Sequence, residues 1–346
     1  MQTELLDEEP SFPENEDGLP RKLDYLGYAP CPIRKEMQRR MHAYFRAHEA
    51  EFGQVDWFSP DGCFHGGSDN DPYDETWKTG SEEEMPGVMS DGGSSDFFTT
   101  IGRQRWIDSE IYGPIEKPSF ELRPEIVEAG IDDPLGAMNL YATFPTVLLV
   151  DREKLGDKPA PKRWQDLADP IYRGDITLAG HDDSKLSDNM LFNTWIRFGN
   201  EGLEALARNA KQFWSPAQMV KAAGARHPDG TSIYCLNYFF AKGRRRSEKV
   251  EILWPEEGAF FQPLMVMGKR GRRPVSQLPI DYLYSEDWAQ YLDSVGFPAV
   301  RSYPGQKPLP GKLSWTGWDF LRNNDLEALR DELNAVFKEA RQTSCS

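Results

Sequence analysis

The apolar positions of the chain change period several times, and each change marks an element. Met37, Met41, Tyr44, Phe45, His48 and Phe52 lie four, three, one, three and four residues apart, the spacing of one helix face, and Gly53 closes the run. Short apolar stretches at residues 23–29 and 55–59 predict flanking strands, followed by a third strand at 85–90 and a helix at 96–106. Residues 139–151 (NLYATFPTVLLVD) read as a long buried strand that crosses between two parts of the molecule. Beyond it the pattern predicts a short helix at 164–167, a strand at 175–179, helices at 187–198 and 203–213 separated by Gly199, and strands at 232–236, 250–254 and 262–267. Helices at 278–295 and 325–341 finish the chain, the last with Leu326, Leu329, Leu333, Val336 and Phe337 on one face. Strands alternating with helices, without a fixed repeat, predict an α/β fold of mainly parallel sheets whose ligands sit beyond the carboxyl ends of strands.

Composition narrows the possible partners. The 346 residues are enough for two lobes with cores of their own. With 40 Lys and Arg against 56 Asp and Glu the net charge is −16, so a phosphate backbone is repelled and no nucleic-acid partner is expected. The 39% hydrophobic and 12% aromatic content excludes a disordered chain. No apolar run approaches the roughly 20 residues of a membrane span, so the chain is not expected to cross one. Residues 1–20 carry seven acidic residues and no basic one, the composition of a flexible acidic tail rather than of a secretory signal. The chain as it stands therefore reads as cytoplasmic, or as periplasmic or extracellular in an already trimmed form. Four cysteines in such a length make no disulfide framework.

The chain contains no Walker A loop, GxGxxG, GxSxG or HExxH motif, which removes the commonest nucleotide and hydrolase readings. Pro30-Cys31-Pro32 sits between a strand and a helix, where helix-start amides favour a thiolate or a bound anion. The same Cys31 also reads as a small buried residue between turn-fixing prolines. Cys63 and His65, after the next strand, would add soft metal ligands if the two strands are neighbours, without any standard ligand spacing. Gly93 and Ser94, in the run Asp91-Gly-Gly-Ser-Ser95, repeat the strand-to-helix device, and Ser184 occupies the matching turn of the second half; capping and turn formation explain the same residues. In residues 234–240, alternation puts Tyr234, Leu236 and Tyr238 on one strand face and Cys235, Asn237 and Phe239 on the other. Asn237 and Tyr238 have polar ends to satisfy and are the better candidates for ligand contact.

Three segments carry a resemblance. Residues 162–176 (KRWQDLADPIYRGDI) resemble the P.W.DL.DP.Y.GKI pattern of bacterial extracellular solute-binding proteins of the ferric-iron ABC-transporter type. Residues 198–203 (FGNEGL) are similar to that family's yGeeGl, and residues 254–259 (WPEEGA), with Pro263, to its wPeeGa...P. The resemblance spans residues 143–297, and it implies a two-lobe periplasmic-binding-protein type II fold with a hinge of two crossing segments and a ligand held in the cleft between lobes. Lobe one is then expected from residues 21–140 plus 252–297, and lobe two from 141–251 plus 298–346. Ferric members use a tyrosine pair, and the nearest match here reads Tyr238-Phe239, with one phenol absent. The family's other ligands, metal chelates, phosphonates, thiamine and polyamines, remain open. The expected protein is a monomeric solute binder without cofactor or catalytic residues, partnered by an ABC permease. Its expected ligand contacts are Cys31, Gly93, Ser94, Ser184, Asn237, Tyr238 and Glu257, with the metal ligands, if any, unknown. The alternative is a cytoplasmic thiol- or metal-dependent enzyme working through Cys31 in the same cleft.

Overall fold

Two long strands organise the molecule because their sequences are apolar on both faces. In the computed structural model, which describes residues 22–60, 71–73, 75–91, 99–180, 186–244 and 248–344, β5 (Asn139–Asp151) and β10 (Ala259–Lys269) pair antiparallel at the centre of an 11-stranded sheet. The remaining strands are β1 (Tyr25–Gly27), β2 (Trp57–Phe58), β3 (Val88–Asp91), β4 (Tyr112–Gly113), β6 (Ile176–Ala179), β7 (Ala210–Trp214), β8 (Ile233–Asn237), β9 (Val250–Leu253) and β11 (Leu313–Ser314). The order is β2-β1-β3-β10-β5-β8-β6-β7, with β4 and β11 on β10 and β9 on β5. Alternate residues of β5 serve two cores. Leu148 and Val150 join the main cluster, and Val147 and Leu149 a second one with Tyr234, Leu236 and Met219.

Helices of six residues or more among the described residues are α1 (Cys31–Phe52), α2 (Asp188–Asn209), α3 (Pro216–Ala222), α4 (Tyr238–Arg244), α5 (Gln277–Leu283), α6 (Glu286–Val295), α7 (Trp318–Asn323) and α8 (Leu326–Ser344). In α1 the face read from the sequence buries Met37, Met41 and Phe45, with Ile33 extending it, while Phe52 at its end is exposed, and Gly53 ends the helix at φ 84°, a conformation only glycine adopts without strain. α8 buries Leu326, Leu333 and Phe337, as its spacing predicts.

Four expected helices differ. The helix expected at 203–213 ends at Asn209, because residues 210–214 pair with β6 as a parallel strand. The Asn209 side-chain amide, donating to the Leu167 and Asp169 carbonyls at 2.8 Å, fixes that change of direction. The two helices expected around Gly199 are one element kinked there, at φ 62°. The helix expected at 278–295 breaks at Ser285, whose hydroxyl accepts the Trp288 N–H and restarts it as α6. At 96–106 the described part is a single turn, Thr100–Gly102, continued by a π turn, Arg103–Ile107.

The strand directions place the two parallel sets head to head. β1, β2 and β3 run parallel, and β3 is antiparallel to β10; β10 is antiparallel to β5, β5 to β8, and β6 and β7 run with β8. The first set therefore points opposite to the second, and their carboxyl ends approach each other. β3 ends at Asp91, level with Met265 and hence with Leu140, while β8 ends at Asn237, level with Thr146. Six residue steps at about 3.3 Å each leave a gap of about 20 Å between the two sets of ends. The middles of β5 and β10 span it.

Strand pairings also redraw the expected division of the chain. Ile252 and Leu253 pair with Leu149 and Leu148, so residues up to 253 stay with the second set. Ala299 bridges Ala142 and Arg301 bridges Leu122, so the region after 298 begins with the first set. Residues 302–313 then form a third passage, ending where β11 pairs with Ala259 and Phe260.

Candidate functional site

The gap between the facing strand ends is where unpaired backbone groups and helix starts converge, and it is the place for a ligand. Its floor is the pair Phe144 and Gln262, directly opposite each other and half-exposed in otherwise buried strands. Phe144 stacks on Phe297 at 4.5 Å. Three residues nearer the first set along β5, the ladder slips between Leu264 and Met265 and leaves Tyr141 as the bulged residue. Its hydroxyl is buried without a hydrogen-bond partner among the described residues, and burial, with Tyr25 and Asp91 adding to it, pushes the phenol well above its usual pKa.

On the first side, Tyr28 follows β1 and donates its hydroxyl to Asp71 at 2.7 Å, while Ser90, bonded to the Tyr25 hydroxyl at 2.7 Å, donates to the Tyr28 carbonyl. Asp91 is buried at the end of β3. Cys31 occupies the first turn of α1 and is exposed, with an Arg34 N–H 3.8 Å from its sulfur. The reading of Cys31 as a buried core residue is therefore wrong: Pro30 turns it outward at the helix start. Cys235 is the buried thiol, and burial pushes its pKa far up.

On the second side, Asn237 ends β8 and Tyr238 begins α4, so the alternation expected through Phe239 stops two residues earlier. The Tyr238 ring meets Trp254 edge-on at 5.3 Å, with the Lys242 ammonium 5.9 Å above it. Lys242 in turn donates to the carbonyls of Asp293 and Ser294 at the end of α6. Asn237 and Tyr238 thus lie together at the carboxyl end of β8, as Cys31 lies just beyond the carboxyl end of β1 in the opposite set. Gly93, Ser94 and Ser184, like Cys63 and His65, lie outside the described residues. Among the described residues no group of three or more His, Cys, Asp or Glu is placed to hold a metal ion.

Glu257 does not sit with them. It lies in the turn before β10, accepts the Trp164 backbone N–H at 3.2 Å and acts electrostatically on Arg197. Trp164 also donates its indole N–H to the Gly258 carbonyl at 2.8 Å and stacks on Phe260 at 4.2 Å. The three resembling segments therefore meet around Trp164, holding the turn from which β10 departs. The sequence reading missed Phe144 and Gln262, although a glutamine inside an apolar strand is a visible signal. It also missed Asn189, whose amide donates to Thr146 Oγ1 and the Phe260 carbonyl at 3.0 Å and joins α2 to both crossing strands.

Residues 83–324 match the bacterial extracellular solute-binding proteins as a family. The chain belongs to that family. Solved structures share the fold across nearly the whole length. Apo FutA2 from Synechocystis PCC6803 is 14% identical, with 92% of this chain and 98% of that chain covered at a TM-score of 0.60. The periplasmic binding protein AfuA of Actinobacillus pleuropneumoniae, solved with fructose-6-phosphate, is 14% identical over 93% and 99% of the two chains at 0.61. The spermidine/putrescine ABC transporter substrate-binding protein PotD of Streptococcus pneumoniae is 14% identical over 92% and 99% at 0.58. No curated protein matches the sequence. This solute-binding protein accordingly has the two-lobe, type II periplasmic-binding-protein fold that its motifs imply, and the facing strand ends described above are its interlobe cleft. No helix among its described residues is long and apolar enough to cross a membrane.

Proposed function

We propose that this solute-binding protein captures a small amine-bearing solute in the interlobe cleft and hands it to an ABC permease. The observation that carries this is the head-to-head arrangement of the two parallel strand sets across the Phe144 and Gln262 floor. Lobes joined by a few crossing strands close as rigid bodies on what lies between them. Asp71 and Asp91 on the first side, the aromatic face of Tyr238 on the second and a net charge of −16 favour a cation or zwitterion over an anion. The permease assignment is supported by the ABC-transporter title of a structural neighbour. In this reading the protein works outside the cytoplasm, as its family does, as a single chain, and without chemistry of its own. Lobe one is built on β1 to β4 with α1, α5 and α6, and lobe two on β6 to β9 with α2, α3, α4 and α8.

A thermal-shift panel of spermidine, thiamine, ferric citrate and glucose 6-phosphate tests the proposal. A ligand at about 100 times its dissociation constant adds about 2.7 kcal/mol. Spermidine or thiamine should raise the melting temperature saturably, and Asn237→Ala should weaken the effect. A shift from glucose 6-phosphate alone would overturn the amine assignment. Steady turnover that disappears in Cys31→Ser would instead establish the thiol enzyme, whose supporting observation is the exposed Cys31 at the start of α1.

A further inference from the structure

A second cavity lies away from the strand ends, between α2 and the short helix Gln165–Ala168, with a volume of about 370 Å³. That volume is in the range that holds small organic ligands. Trp164, Leu167, Met190, Phe198 and Leu206 give it apolar walls, and Gln165 and Glu201 stand exposed at its edge. Arg197 also lines it. Its guanidinium donates to Asn193 Oδ1 at 2.9 Å and to the Ser314 hydroxyl, and it lies over the Phe260 ring at 4.9 Å. Those partners orient the charge without cancelling it. Arg197 makes no ion pair among the described residues; Glu257 acts on it only at longer range and is engaged by the Trp164 N–H. A half-buried cation hydrogen-bonded to neutral partners and without a close ion pair, beside an apolar cavity of ligand size, can still take an anionic partner.

We infer that this cavity is a second binding site on lobe two, for a small carboxylate with an apolar body, the carboxylate on Arg197 and the body against Phe198 and Leu206. The inference stands apart from the cleft: no residue of the cavity is among those at the strand ends. Two of the segments that carry the family resemblance line it, through Trp164 and through Phe198 with Glu201, and Glu257 of the third bonds the Trp164 N–H behind its wall.

Phenylacetate is the probe, measured by titration calorimetry and ligand-detected NMR on the whole chain, with 2-phenylethanol and phenethylamine as its neutral and cationic counterparts. Phenylacetate should bind saturably at about 1 mM or tighter, as a small efficient ligand can. The two counterparts should bind at least about tenfold more weakly, the usual effect of losing a charged hydrogen bond. Arg197→Met should cost a similar factor. Because that variant also removes the bonds to Asn193 and Ser314, Ala168→Phe, which fills the cavity and keeps Arg197, is the second arm and should abolish binding. Asn237→Ala should leave phenylacetate untouched while weakening the cleft ligand, which keeps the two sites distinguishable. Phenethylamine binding as tightly as phenylacetate, full binding in Ala168→Phe, loss of binding in Asn237→Ala, or no binding at about 10 mM would each overturn the assignment.

Discussion

The turn around Trp164 and the rim at Asn237 and Tyr238 belong to the same lobe but are built on opposite principles. At the turn, one buried indole is held by a hydrogen bond to the Gly258 carbonyl, a ring stack on Phe260 and a backbone bond to Glu257. At the rim, side chains stand half-exposed where a strand gives way to a helix. The family resemblance is carried by the turn, whereas the rim is where the proposed solute would be met. Framework residues that fix where β10 begins therefore identify the fold without specifying the solute. This is why neighbours of equal similarity are described with ligands as different as a polyamine and a sugar phosphate.

The largest expected effect breaks the turn. Trp164→Ala should destabilise the protein by about 3 to 5 kcal/mol, the cost of emptying a buried aromatic site, in urea melts followed by circular dichroism. A loss below about 1 kcal/mol would remove the contrast. Asn189→Ala should cost about 1 to 3 kcal/mol, because it leaves the buried Phe260 carbonyl and Thr146 hydroxyl short of a donor. At the rim the balance reverses. Asn237→Ala should change stability by less than about 1 kcal/mol while weakening the cleft ligand about two- to tenfold, a lost hydrogen bond's worth, by calorimetry.

Much of this contrast can be traced to what a sequence displays. Periodicity predicts α1, β5 and α8 because a buried face leaves a repeat in the residues that make it. It fails at residues 210–214, where helix-compatible spacing is overridden by pairing with β6, a partner more than thirty residues away. Glu257, expected as a ligand contact, instead accepts the Trp164 N–H, a bond between residues about ninety apart that no local pattern displays. Of the expected contacts, Asn237 and Tyr238 lie at the end of β8 and Cys31 just after β1, beyond the carboxyl ends of the two sets, because that placement needs only strand positions. Phe144 and Gln262 escaped it because a cleft floor forms only once two strands distant in sequence cross side by side.

Smaller effects test the first side of the cleft. Glu36 accepts bonds from Arg39 and Arg40 on α1, and Arg40 continues to Asp287 on α6. The Arg39 bond is the largest influence holding the Glu36 carboxyl below its usual pKa, with partial burial opposing it and Arg40 assisting. A carboxyl depressed in the folded state contributes stability above its unfolded pKa of about 4.3 and loses it as pH falls through the lower folded value. Glu36→Gln should therefore flatten the stability profile below about pH 4.3 and nowhere above, as acid titrations of the melting temperature will show. Cys31→Ser, at an exposed position, should alter stability by less than about 0.5 kcal/mol and leave solute binding in place.

Small-angle scattering of the whole protein, with and without the panel member that stabilises it most, tests closure of the cleft directly. The account predicts a smaller radius of gyration at saturating solute, with the same decrease reached at higher concentration in Asn237→Ala. An unchanged radius at a solute concentration that fully shifts the melting temperature would contradict capture between the two lobes.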